Sequence, residues 1–172
     1  MTLLDNLKGL INQASSGNAS TADVHSAFDE VSRSVSQGSL ADGLTHAFNS
    51  DRTPPFEQMV SGLFGQSSPD QKAGLLNQIL ASLPPGTAQA LAGAGGMGAL
   101  QSLLTGNSVT PQQASQVPPH EVETLAKQAA TKDPTIVDKA AGFYAQHPQL
   151  VKGIGVAALG LLMSRISQTR RA

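Results

Sequence analysis

Four times in this chain a residue with a side-chain oxygen stands directly before proline: Thr53-Pro54, Ser68-Pro69, Thr110-Pro111 and Asp133-Pro134. No other feature constrains the fold as much. The oxygen can accept a hydrogen bond from a free amide in the opening turn of a helix. Proline suits the first helical position because its missing N–H would have no partner there. At Ser68 and Thr110 a glutamine follows three residues on, Gln71 and Gln113, which completes a capping box. Each cap contributes about 1 kcal/mol, so several together set helix starts firmly. His147-Pro148 is a less complete version, expected to end one helix and open the next.

Between these starts the apolar residues recur at helical spacing. Val24, Ala27, Phe28, Val31 and Val35 form one stripe, and Leu40, Leu44, Ala47 and Phe48 another. Phe56, Met59, Val60 and Leu63 follow, then Leu76, Ile79, Leu80 and Leu83. Later stripes are Val122, Leu125, Ala126 and Ala129, and Ile136, Ala140, Phe143 and Tyr144. The opening "MTLLDNLKGLINQASSG" lacks a basic leader, and Asp5, Asn6 and Lys8 interrupt it, so it does not read as a signal peptide. Leu3, Leu7, Leu10 and Ile11 instead fall on one helical face. Few stretches alternate with a period of two, and runs of β-branched residues are absent. The expected fold is all-α: an irregular array of eight or nine short helices with a buried Gly/Ala-rich C-terminal helix. Polar or Pro-bearing loops are expected at 15–20, 84–86 and 106–119. The last, "GNSVTPQQASQVPP", is the best boundary. It separates an N-terminal helical region, 1–106, from a C-terminal helical subdomain, 107–172, unless the whole is one continuous domain.

Composition narrows the chemistry. Only 3 % of the 172 residues are aromatic, so the core must be built from Leu, Ala, Val and Ile. The net charge of −1 gives little basic surface to displace counterions from phosphate, and no nucleic-acid partner is expected. Cysteine is absent, which excludes disulfides, thiolate metal sites and cysteine nucleophiles and fits a reducing, cytoplasmic location.

"GAGGMG" satisfies G-x-G-x-x-G through Gly93, Gly95 and Gly98. A dinucleotide site needs a strand before such a turn and an acidic residue about 20 residues beyond it. Here "PPGTAQALA" precedes, which is helix-like, and the first acid after Gly98 is Glu121. The expectation is a break between two short helices, or a point where another helix backbone comes close. His120 and Glu123 lie three apart on one helix and form a weak candidate polar site. A di-metal bundle would need Glu-x-x-His pairs with further Glu on facing helices, and the order here is reversed. Asp29-Glu30 and Glu121-Glu123 read as solvated helix faces. His147 is expected to bond a carbonyl at a helix end. Neither a G-x-S-x-G elbow nor a Walker lysine is present. No catalytic residue, cofactor or metal is expected.

The segment "LVKGIGVAALGLLMSRISQTRRA" is the most distinctive. Twelve uncharged residues separate Lys152 from Arg165. As a helix they extend about 18 Å, against about 30 Å of bilayer hydrocarbon. Gly153, Ala157, Gly160 and Ser164 form a small-residue stripe at spacings of four, three and four, suited to close helix packing. A helix apolar on nearly every side is normally buried. The leading expectation is a central helix of the C-terminal half with other helices around it. A self-association surface is the second reading. Shallow attachment to a membrane surface, aided by Arg165, Arg170 and Arg171, is the third.

Residues 107–147 contain "TPQQ" at Thr110–Gln113, then "EVETLAKQAA", then "PTIVDKAAGFY". In these segments the chain resembles the YidB-like family of uncharacterised bacterial proteins. The resemblance implies a bacterial origin and a compact helical array, and it carries over no catalytic residue. The leading functional expectation is a non-enzymatic interaction or oligomerisation module whose partner is an unknown protein or a second copy. The alternatives are a peripheral membrane-associated protein, and a small-ligand binder or an enzyme of unknown class.

Overall fold

The computed structural model describes residues 20–93, 98–104 and 106–169, together with Asp5, Lys8, Gly9, Asn12 and Gln13. Leu3, Leu7, Leu10 and Ile11, which suggested an opening helix, lie outside the described residues, as do Arg170 and Arg171. The described residues hold eleven α-helices and no strand, so the fold is all-α. The helices are α1 (Thr21–Ser34), α2 (Gln37–Phe48), α3 (Phe56–Gln66), α4 (Pro69–Ser82), α5 (Thr87–Gly93) and α6 (Gly98–Leu103). They continue with α7 (Pro111–Gln116), α8 (Pro119–Lys132), α9 (Ile136–Ala145), α10 (Pro148–Val151) and α11 (Val156–Thr169). A 3-10 turn, Lys152–Ile154, lies between the last two.

The four proline-marked positions divide by mechanism. Ser68 and Thr110 are complete capping boxes: each hydroxyl accepts the backbone N–H three residues on, and Gln71 or Gln113 returns a bond to the cap's own N–H. Thr53 works in the opposite direction. Its hydroxyl donates to the carbonyls of Ala47 and Ser50, closing the end of α2, and α3 starts only at Phe56. Asp133 forms a turn in which its carboxylate accepts both the N–H and the hydroxyl of Thr135, while Lys139 pairs with its second oxygen at 3.2 Å. The Thr135 hydroxyl, then Lys139 and the Thr135 amide, hold this carboxyl below its ordinary range. The two positions that carry Gln three residues on are therefore the two that cap as expected. Ser20 and Ser36, which lack a following proline, also cap their helices.

The chain forms two compact units, residues 1–55 with 141–172, and residues 56–140. The expected boundary at 106/107 falls inside the second unit. The 106–110 stretch is stitched to α4 there, because the Asn77 side chain donates to the Val109 carbonyl at 3.2 Å and accepts the Val109 N–H at 2.8 Å. Val109 is thereby buried and held against α4, while Gly106, Asn107 and Ser108 stay exposed.

In the second unit α8 packs on α3 and α4, and α7 packs on α4. Val122, Leu125, Ala126 and Ala129 of α8 are fully enclosed, as are Val60, Leu63 and Phe64 of α3. Lys139 Nζ donates to Ser82 Oγ at the end of α4, and that hydroxyl donates in turn to the Gln78 carbonyl.

In the first unit α11 packs on α2 and α1. Its partners thus come from the start of the chain, not from the C-terminal half as the sequence suggested. The long helix expected there is also interrupted. Gly155 adopts φ +96, a left-handed backbone that side chains other than glycine rarely tolerate. It ends the 3-10 turn and lets α11 begin afresh at Val156. Lys152, just before this break, pairs with Asp29 of α1 at 2.6 Å, so Asp29 is not part of a purely solvated face.

The small-residue stripe is corrected accordingly. Gly153 sits in the 3-10 turn, on the other side of the break from Ala157, and both are exposed. Gly160 is buried, and Ser164 is half-buried. The inward face of α11 consists of Ala158, Leu159, Gly160, Leu162, Met163 and Ile166. A close approach is made at the partner helix. A Cβ on Gly43 of α2 would stand 3.1 Å from Leu162 Cγ, 3.2 Å from the Leu162 carbonyl oxygen and 3.3 Å from Ile166 Cγ1.

Two glycine substitutions separate packing from propensity. Gly43→Val should lower stability by about 1–3 kcal/mol through overpacking against Leu162. Gly62→Ala in α3, where a Cβ would meet nothing within 4 Å, should raise it by about 0.5–1 kcal/mol. Denaturant midpoints measure both.

Candidate functional site

The glycine motif does not form a nucleotide turn. Helix α5, not a strand, delivers the chain to Gly93, and α6 opens at Gly98, with Gly95 outside the described residues. A Cβ at Gly93 or Gly98 would meet no atom within 4 Å, so neither marks a close helix approach either.

His120 and Glu123 both lie in the first turns of α8, as the sequence placed them. His120 is exposed and Glu123 half-buried, and no hydrogen bond or ion pair joins them. Among the described residues no three His, Asp or Glu side chains gather as a metal site. Glu121 between them departs from the expected solvated face. It is 5 % exposed, and its Oε2 has no hydrogen-bond partner. His147 packs its ring against Phe143, with centroids 5.0 Å apart, and its side chain does not cap α10.

A cleft of about 390 Å³ lies in the second unit. The last turn of α4, through Leu80 and Ala81, and its C-cap residue Leu83 form one wall. Pro84 and Pro85 stop that helix, and Gly86 at φ +86 turns the chain into α5, which forms the opposite wall through Ala88 and Gln89. Leu103 and Leu104, with residues 106–109, form the rest. Asn77 lies in the floor with both ends of its amide committed to Val109. None of the fifteen lining residues carries an ionisable side chain.

Sequence reasoning marked "PPG" as a helix stop but did not find this cleft. The available signal was Asn77, a lone amide beside Leu76, Ile79 and Leu80. Its partner Val109 lies 32 residues away, and helical periodicity is blind to that pairing. Helix α5 shows the same limit in another way. It buries none of its residues, although "TAQALAG" is rich in Ala and Leu.

Comparison with protein families, curated proteins and solved structures found no match to this chain.

Among the described residues Tyr144 is the most perturbed titratable group. It is fully enclosed, its hydroxyl lacks a partner, and burial pushes its pKa well above the ordinary value of 10. Above about pH 10 the unfolded chain loses this proton and the folded one keeps it, so stability should fall there by about 1.4 kcal/mol per pH unit. Tyr144→Phe should remove that dependence. At neutral pH it should stabilise by about 1 kcal/mol, because it deletes an unsatisfied buried hydroxyl. As Tyr144 is the sole tyrosine and tryptophan is absent, tyrosinate absorbance should rise only together with unfolding. Asn77→Ala should cost about 1–3 kcal/mol by leaving the Val109 amide and carbonyl unpaired, which urea titration would show.

Proposed function

We propose that the protein is a non-enzymatic helical interaction module that associates with a second copy of itself or with another protein through the outward face of α11. One observation supports this reading. Ala157, Leu161, Ser164 and Gln168 recur at spacings of four, three and four along that helix, on the side opposite its buried residues. Ala157 and Gln168 are exposed, and Leu161 and Ser164 half-buried. The ridge carries no charge. Small side chains at Ala157 and Ser164 allow another helix to come close, while Leu161 offers apolar area to bury. The buried inward face holds α11 in place as a rigid platform.

No helix among the described residues is long and apolar enough to cross a membrane. Contact with a bilayer surface therefore enters only as an outcome to be distinguished from protein association. The resemblance of residues 107–147 to YidB-like proteins fits a helical module of this kind and adds no chemistry to it.

Sedimentation equilibrium of the full chain tests the proposal. The expected result is a concentration-dependent mass above the 17.7 kDa of one chain, returning to the monomer in Ala157→Arg with the circular dichroism unchanged. A chain that stays monomeric at high concentration and retains no protein from a bacterial lysate would contradict it. Flotation of the full chain with anionic liposomes, lost in Leu161→Glu, would replace it with the membrane-surface reading.

A further inference from the structure

We infer that the cleft between α4 and α5 is a binding site for a small, uncharged molecule with an apolar body. This inference stands apart from the association proposed for α11, since every lining residue belongs to the second unit. The cleft is half open to solvent, and its volume of about 390 Å³ falls within the range of sites that hold small organic ligands, about 300–1,000 Å³.

The lining decides the chemistry. Leu80, Leu83, Pro84, Pro85, Ala88 and Leu104 supply apolar surface, and amide, hydroxyl and backbone groups make up close to half of the lining. No side chain in the cleft carries charge, so a carboxylate, phosphate or ammonium entering it would lose water without gaining a counter-charge, which is costly. The floor makes no demand for a polar ligand, because the Asn77 amide is satisfied on both sides by Val109. The exposed amides of Gln89 and Asn107 remain at the cleft to meet one neutral polar group.

Helix α5 gives a second reason for a ligand here. It buries none of its own residues, yet it forms a wall, with Ala88 half-buried on the cleft side. The turn before it is set by Pro84, Pro85 and the left-handed Gly86. An apolar molecule in the cleft supplies α5 with the contact area that its own fold does not.

Two fluorescent probes that share an aromatic body test this. N-phenylnaphthylamine is neutral, and anilinonaphthalene sulfonate carries one negative charge. The full chain should bind the neutral probe saturably at one site and at least tenfold more tightly than the sulfonate. Ala81→Arg places a long cation on an exposed helical position of the wall and should weaken the neutral probe by tenfold or more. Asn107→Asp, on the exposed loop, should widen the preference against the sulfonate. Ala157→Arg, in the other unit, should change neither probe. Absence of saturable binding, equal binding of the two probes, or a loss shared by Ala157→Arg would each overturn the assignment. So would binding that survives Ala81→Arg and Asn107→Asp unchanged in variants of native circular dichroism.

Discussion

The contact of α11 with α2 at Gly43 is the interaction on which the first unit depends. The unit joins residues from opposite ends of the chain, so local propensity alone cannot hold it together. An apolar helix face must find a surface able to receive it. Gly43 makes that surface by removing a side chain where the Leu162 backbone and the Ile166 side chain arrive. Leu159 and Leu162, fully enclosed, then contribute roughly 1.5–3 kcal/mol each relative to an exposed state. The Lys152–Asp29 pair anchors the chain just before the helix, where the left-handed Gly155 resets its direction. The inward side of α11 is committed to α2 and α1.

Helix identity was legible in the sequence to the extent that its cause is local. The stripes of α1, α2, α3 and α8 are the buried faces almost residue for residue, since burial follows the helical period. The capping boxes at Ser68 and Thr110 were also readable, because both partners of each bond lie within three residues. Thr53 and Asp133 share the Pro signal but not the glutamine, and their oxygens found other uses. The presence of the glutamine is thus the discriminating part of the pattern.

What was not legible is which helix meets which. Gly43 sits inside the Leu40–Leu44–Ala47 stripe and looks like a mild break in a helix. Its role depends on Leu162, more than a hundred residues later. Asn77 and Val109 are a smaller case of the same problem. The regular spacing of the small residues in the C-terminal segment is visible in the sequence, whereas the close approach at Gly43 on the other helix is not. The candidate cleft was likewise hidden, since its walls come from a helix end, a proline turn and a distant loop, none conspicuous alone.

Native-state hydrogen exchange of the α11 amides in the isolated wild-type subunit addresses the packing most directly. If the inward face is sealed against α2, the amides from Leu159 to Ile166 should exchange only with opening of the whole first unit, far more slowly than those of the exposed last turn. Exchange of that segment at the rate of an unstructured chain, while α2 remains protected, would contradict the packing and remove the platform on which the proposed association rests.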